Sequence, residues 1–374
     1  MSKAINQAAL QQALETQGWT QLRLADEVGV SAQSVTNWMQ GEGFPRPATL
    51  LKLATLLRLS FEQLVKTDVG DRPVVAFRKK GNAKTTDIHI NKATEIGMLL
   101  KPLVPYLPEM QALRTLITSP SIEYSKLQTA VSQTRARLGL GDQAVLRYEQ
   151  LIGEFADCGA ILVPVLWGAK GNHENAMHIR LPTEDVTFIF VNLDTRVEDF
   201  KFWMAHELAH VFTPDLAGST EGEDYADAFA GSLLFPRACA EAAYAETSRK
   251  RSVNGEIEAL LHHAHTHSIS LNTVYQRVKE YAAFAGLPTL SVDDRAIHMV
   301  RNSISGPLVS EALFDPMPPS SKQYIANAEN NFRSTFFDAL KQMILDKGTE
   351  SGYLQQILDL SIGDAQALHE ELSH

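Results

Sequence analysis

The sequence His206-Glu207-Leu208-Ala209-His210 lies in a segment, Val197–Phe212, whose apolar spacing predicts a helix. On an α-helix, residues four positions apart lie about 6 Å apart along the axis and about 40° apart around it. The imidazoles of His206 and His210 therefore face one point and can share a Zn²⁺ ion. Glu207 lies on the adjacent strip of the helix, where its carboxylate can accept a proton from an attacking water. The alternative is an exposed helix with two incidental histidines.

A catalytic zinc site needs three protein ligands and one open position, so the motif requires a further ligand. The next predicted helix, residues 221–234, begins with several carboxylates. Glu223 and Asp227 are four residues apart and share one face of this helix. This spacing permits Glu223 to bind zinc while Asp227 accepts an N–H from a ligand histidine. Glu221 and Asp224 remain alternative third ligands.

Three strand-like segments precede the motif helix. Residues 158–168, CGAILVPVLWG, form an apolar run that predicts a buried strand. Residues 177–181 and 186–193 alternate or run apolar, and the polar residues between them predict a hairpin turn. Three strands followed by two helices indicate an α+β domain.

The HELAH motif, followed by EDYADAFAGSLLFP at residues 223–236, resembles the ImmA/IrrE family of zinc metallopeptidases. In that family the HExxH helix is followed by a helix of the form E-x-x-A-[ND]-x-F-A-x-x-L-L-x-P. The matching positions are Glu223, Ala226, Asp227, Phe229, Ala230, Leu233, Leu234 and Pro236. The resemblance implies a zincin-like fold of the gluzincin type, with His206, His210 and Glu223 on zinc and Glu207 as general base. Only twelve residues separate His210 from Glu223, a short connection for such sites.

The resemblance implies hydrolysis of peptide bonds, and it suggests a partner protein such as a helix-turn-helix repressor as substrate. In such folds an extended substrate commonly pairs with an edge strand of the sheet. We expect residues 186–193, or the neighbouring strand, to form that edge.

Residues 19–66 resemble the Xre type of helix-turn-helix, the phage-repressor group. The matching residues are Thr20-Gln21, Leu24-Ala25, Gly29-Val30-Ser31, Ser34-Val35, Trp38, Gly41, Pro47 and Leu53-Ala54. Gly29 allows the tight turn between helices, while Val35 and Trp38 face the core. The helix at residues 31–40 then presents its polar side chains to base edges, and the predicted DNA contacts are Gln33, Ser34, Thr36 and Asn37. Gln21, at the start of the preceding helix, is expected to contact a phosphate.

The charge of this head is balanced, with six basic and six acidic residues in residues 1–68. DNA affinity depends largely on neutralised phosphates, and the predicted recognition helix is uncharged. Two roles therefore stay open for the head: DNA binding, for which a homodimer would supply additional charge, and docking to a protein.

The whole chain has 374 residues, with 34 Lys and Arg against 44 Asp and Glu, a formal charge of −10. A hydrophobic fraction of 44% and a charged fraction of 21% exclude wholesale disorder. Cys158 and Cys239 are too few for a disulfide framework, and we expect a cytoplasmic protein without a membrane span. The predicted layout is multidomain: an all-α helix-turn-helix head (1–68), a helical connector (69–156), the α+β metallopeptidase core (157–237) and a helical C-terminal region that could bind a partner (238–374).

Two functions are compatible with these features. The first is a regulatory zinc-dependent endopeptidase with a DNA-binding head that cleaves a partner regulator or repressor. The second is a transcriptional regulator or antitoxin of a toxin–antitoxin or mobile-element module, in which the peptidase-like domain mainly binds a partner. The intact Glu207 favours the enzyme, because a structural zinc site does not need that carboxylate, whereas the neutral head favours partner binding.

Overall fold

The chain forms two compact units, Met1–Arg72 and Pro73–His374. The computed structural model describes residues 3–40, 43–67, 72–76, 87–108, 116–168, 176–304 and 306–374. The predicted boundary between residues 68 and 69 lies outside these ranges, as does Gly41 of the Xre resemblance. From Pro73 onward, the predicted connector, core and C-terminal region are grouped in the second unit.

Helices make up most of the first unit. Its elements are β1 (Lys3–Ile5), α1 (Gln7–Gln17), α2 (Gln21–Val28), α3 (Ala32–Gln40), α4 (Pro47–Leu57), α5 (Phe61–Leu64) and β2 (Val65–Thr67). Thr20 caps α2 by accepting the Arg23 N–H, and Gly29 ends it with a φ of 81°, which favours glycine. Val35 and Trp38 are buried, as predicted. The antiparallel pair β1–β2 was not predicted, because strands of three residues are too short to show an alternating pattern.

The second unit has a mixed α/β arrangement. Its strands are β3 (Val74–Ala76), β4 (Ala160–Val165), β5 (Ala176–Leu181) and β6 (Val186–Asn192). The helices of its first part are α6 (Asp87–Leu100), α7 (Tyr124–Arg137), α8 (Tyr148–Asp157), α9 (Val197–Phe212), α10 (Thr220–Leu234), α11 (Arg237–Thr247) and α12 (Val253–His267). The remaining helices are α13 (Leu271–Phe284), α14 (Asp294–Ser303), α15 (Val309–Leu313), α16 (Ser321–Phe332), α17 (Phe336–Lys347), α18 (Ser351–Leu358) and α19 (Ile362–Leu372).

Among the described residues, the sheet of this unit has the strand order β3-β5-β6-β4. The predicted hairpin is confirmed, because β5 and β6 pair in antiparallel register from Ala176↔Val191 to Leu181↔Val186. β4 joins the other side of β6 in parallel, and β3, which was not predicted as a strand, pairs with β5. Residues 186–193 therefore do not form the expected sheet edge, since β6 is an inner strand of the described sheet, whereas its neighbour β4, the other strand that the expectation allowed, lies at an edge. The sequence pattern does not reveal this, because parallel pairing depends on residues that are distant along the chain.

The C-terminal helices complete the core of the sheet. The ring of Phe336 in α17 packs edge-on against Phe188 and Phe190 of β6, with centroids 6.2 and 6.4 Å away. The Ser334 hydroxyl and the Tyr324 hydroxyl donate hydrogen bonds to backbone carbonyls of β4. The helices after residue 320 therefore belong to the same hydrophobic core as the sheet. No helix in the described parts of the chain is long and apolar enough to cross a membrane.

We predict that Phe336→Ala lowers the free energy of unfolding of the second unit by about 3–5 kcal/mol, because the substitution leaves a cavity beneath the sheet. Phe336 is fully buried, whereas Ile362 in α19 is 65% exposed and provides the control Ile362→Ala. Urea denaturation followed by circular dichroism measures both changes. Equal stabilities of the two variants would contradict a role for α17 in the core.

Candidate functional site

The HExxH helix, α9, is buried on nearly every side. His206, Glu207 and His210 are 0, 1 and 1% exposed, and most of their neighbours along the helix are apolar and equally buried. A helix that is buried all round belongs to the interior of a domain. This burial excludes the alternative of an exposed, charge-patterned helix with incidental histidines. Each polar side chain on α9 therefore needs a partner inside the unit.

The partner helix, α10, follows α9 after a tight connection. Ser219 caps α10 by accepting the Gly222 N–H at 2.9 Å. A Cβ atom on Gly222 would lie 2.2 Å from the carbonyl oxygen of Leu216, so only glycine permits this close approach. After this short connection between His210 and Glu223, α10 packs along α9.

The packing of α10 on α9 brings three potential metal ligands together. The Nε2 atoms of His206 and His210 are 3.2 Å apart. The Glu223 carboxylate oxygens lie 3.4 Å from Nε2 of His206 and 3.3 Å from Nε2 of His210. In a tetrahedral zinc site with bonds of about 2.0–2.1 Å, ligand atoms are about 3.3–3.4 Å apart. The three side chains therefore have the spacing that Zn²⁺ requires.

The hydrogen bonding of these ligand atoms also fits a metal. Both Glu223 carboxylate oxygens are buried and accept no well-formed hydrogen bond among the described residues. Nδ1 of His206 lies 2.9 Å from Oδ1 of Asp227, and this close carboxylate favours a proton on Nδ1 and an Nε2 lone pair toward Glu223. Glu221 and Asp224 are exposed on the outer side of α10. The structure thus brings Glu223, rather than Glu221 or Asp224, to the two histidines, with Asp227 behind His206.

The electrostatics of this cluster favour a positive charge. Burial lowers the pKa of His206, but its contacts with Asp227 and Glu223 outweigh burial and raise the pKa to about 9. Burial raises the pKa of Glu223, yet the close approach of His206 and His210 lowers it to about 2. The pocket between α9 and α10 therefore stabilises a cation, which is the condition for holding a divalent metal.

His178 on β5 also faces this site, although the sequence analysis did not select it. The side chain is 1% exposed, and its Nδ1 lies 3.5 Å from Oε2 of Glu207. Its ring packs edge-on against the ring of His210, with centroids 5.8 Å apart. Burial lowers the pKa of His178, so its ring is neutral at pH 7. His178 and Arg180 are the two polar residues of β5 and alternate with its apolar residues, so the sequence pattern did not distinguish His178 as a buried residue.

A small cavity, with about 20 Å³ of space for water-sized molecules, adjoins these side chains. Its walls include Leu116, Cys158, His178, Arg180, Thr187, His210, Val211 and Pro214. This volume accommodates about one water molecule beside the histidines.

The predicted DNA contacts lie together on the first unit. Gln33 is exposed, whereas Ser34, Thr36 and Asn37 are partly buried along the same helix, α3. The Gln33 amide donates to Oδ1 of Asn37 at 2.8 Å. The Thr36 hydroxyl donates to Oε1 of Gln21 at 3.4 Å and so connects α3 to α2. The structure therefore brings all five predicted residues to one polar surface.

Comparison with known families supports the helix-turn-helix interpretation of the first unit. A family model described as Helix-turn-helix matches residues 10–64, which include α2, α3 and α4. The match supports the predicted DNA-binding regulatory head and does not extend into the second unit. A search of curated proteins produced no match.

We predict that purified wild-type protein binds about one zinc ion and that Glu223→Ala loses it, because two histidines alone make an incomplete site. Metal analysis after dialysis against a weak chelator measures the difference. Glu221→Ala is the matched control, since Glu221 is exposed two residues earlier on α10 and should keep the metal. If Glu223→Ala retained zinc and Glu221→Ala lost it, Glu221 rather than Glu223 would be the third ligand.

Proposed function

We propose that the second unit is a zinc-dependent endopeptidase of the zincin type, and that the chain is a regulatory protease with a DNA-binding head. The main support is the triangle of His206, His210 and Glu223, whose ligand atoms have the mutual spacing of a tetrahedral zinc site. The resemblance of the two helices to the ImmA/IrrE family supports the same function. The proposed substrate is a partner regulator or repressor.

The residues around the triangle have separate roles in peptide hydrolysis. Zinc, when bound, supplies Lewis acidity toward the carbonyl of the scissile peptide. Glu207 accepts a proton from the attacking water at its carboxylate and then donates it to the leaving amine nitrogen. Asp227 holds His206 in the tautomer with the proton on Nδ1.

The ligand set favours catalysis over a purely structural metal. Structural zinc sites have four protein ligands, whereas catalytic sites have three and an open position. In the described residues, the group of ligand atoms that lie close to one another contains only His206, His210 and Glu223. A buried carboxylate directly beside the ligands, Glu207, serves no purpose in a structural site.

A second candidate function is a transcriptional regulator or antitoxin whose peptidase-like unit binds a partner without cleaving it. The observation that favours it is the charge balance of the head, with six basic against six acidic residues and an uncharged α3 surface. Such a surface suits protein docking or a homodimer as well as DNA.

We predict that Glu207→Gln abolishes cleavage of the physiological substrate, with a loss of about 10²–10⁴-fold, while zinc content stays unchanged. The measurement is co-incubation of wild-type and variant protein with regulators encoded beside its gene, followed by mass spectrometry of the products. Wild-type cleavage with no cleavage by the variant supports the peptidase. Equal product formation by both proteins would contradict it, and binding of a partner without any cleavage favours the second function.

We predict that Asn37→Ala weakens specific DNA binding by about 1–3 kcal/mol, the usual cost of losing a base contact. Gel shifts with DNA from the region upstream of its own gene measure the affinity. Gln12→Ala is the control, because Gln12 is an exposed amide on α1 and is not among the predicted DNA contacts. Because the head has six basic and six acidic residues and so no net charge, we also expect a shallow dependence of affinity on salt. Equal affinities of the Asn37 and Gln12 variants would remove α3 from the interface.

A further inference from the structure

We propose that His178 is a positioning residue for the general base, with its Nδ1–H donating a hydrogen bond to Oε2 of Glu207. This proposal rests on the zinc-peptidase function proposed above. The proposal gives the Glu207 carboxylate a fixed orientation. Its Oε2 accepts the hydrogen bond from His178, and its Oε1 accepts the proton from water. The evidence comes from the strand that carries His178, from the two unpaired atoms, and from the ring contact with His210.

The strand makes His178 a rigid support. β5 is paired on one side with β3 and on the other with β6, and His178 lies in register with Ala76 and Ile189. The backbone at His178 is thus held from both neighbouring strands, and its side chain is 1% exposed. A functional side chain is held most accurately when it comes from a rigid element and is locked by packing.

The two atoms of the proposed hydrogen bond have no alternative partner among the described residues. Nδ1 of His178 and Oε2 of Glu207 are both buried, and neither has another hydrogen-bond partner among the described residues. A buried polar atom without a partner is destabilising, so the pair is driven together. The separation of 3.5 Å is a few tenths of an ångström longer than a normal N–H···O bond. Catalytic hydrogen bonds are often this long before substrate binds and then tighten.

His178 also contacts His210, one of the three proposed zinc ligands. The rings of His178 and His210 pack edge to face, with centroids 5.8 Å apart. His178 does not belong to the group of close ligand atoms formed by His206, His210 and Glu223. It therefore orients Glu207 relative to the ligands without being a ligand itself.

The first test observes the hydrogen bond directly and needs no substrate. In full-length protein with ¹⁵N-labelled histidine, NMR identifies the His178 ring by the loss of its signals in His178→Asn. We expect a proton on Nδ1 whose resonance lies downfield and moves upfield in Glu207→Gln, because an amide is a weaker acceptor than a carboxylate. A proton on Nε2, or an Nδ1–H that does not respond to Glu207→Gln, would overturn the proposal.

The second test measures the effect of the His178–Glu207 hydrogen bond on catalysis. His178→Phe keeps a ring but removes the donor, whereas His178→Asn keeps a donor close to the position of Nδ1. We expect His178→Phe to lower kcat by at least about 10-fold with unchanged KM and zinc content, and His178→Asn to restore most of the loss. Loss of zinc from folded His178→Phe, or a defect that His178→Asn does not relieve, would overturn the positioning role.

The matched control is His263→Phe. His263 forms a comparable histidine–glutamate pair with Glu246, 3.1 Å apart, at a helix surface that is not part of the ligand cluster. The His263→Phe substitution should leave kcat and zinc content unchanged.

The NMR test is run with and without zinc, so that the two proposals are tested separately. A protein that binds no zinc and cleaves nothing refutes the peptidase function, while the NMR spectra still test the His178–Glu207 contact. If His178→Phe does not fold, the NMR spectra of the wild type and of Glu207→Gln test the His178–Glu207 hydrogen bond without it.

Discussion

The packing of α10 against α9 is the interaction on which the chemistry of the second unit depends. It buries two imidazoles and a carboxylate in surroundings that are otherwise apolar, where polar groups are costly unless they are paired. Asp227 lies against Nδ1 of His206 on one side, yet both carboxylate oxygens of Glu223 lie 3.3–3.4 Å from the histidine Nε2 atoms without a well-formed hydrogen bond. A divalent cation, as proposed above, would satisfy all three groups at once.

The sheet supports the helix pair α9 and α10. β5 presents His178 to α9, while α17 packs its aromatic rings against β6 from the C-terminal region. The long helical stretch after the HExxH motif therefore contributes to the rigidity of the site, since functional groups need a supporting shell to hold their geometry. This role follows from the packing of Phe336 and from the hydrogen bonds to the β4 carbonyls.

Local patterns in the sequence predicted the parts of the molecule that depend on local geometry. The spacing of His206 and His210 needs only a helix, and the hairpin of β5 and β6 needs only two strands and a turn. The strand order, the pairing of β3 and the approach of α17 depend on distant residues, and no local pattern contains that information. His178 was missed for the same reason, because it lies on a strand 29 residues before Glu207 and only the fold brings them together. Helical spacing permitted Glu223 but left Glu221 and Asp224 open, and the family resemblance selected Glu223 among them.

Zinc-edge anomalous diffraction from crystals of the full chain tests the central claim most directly. We predict one anomalous peak between Nε2 of His206, Nε2 of His210 and the carboxylate of Glu223, about 2.0–2.2 Å from each ligand atom. The fourth position should hold only solvent or substrate. A peak at another site, or no peak from protein saturated with zinc, would contradict the account of the α9–α10 pair as a metal centre.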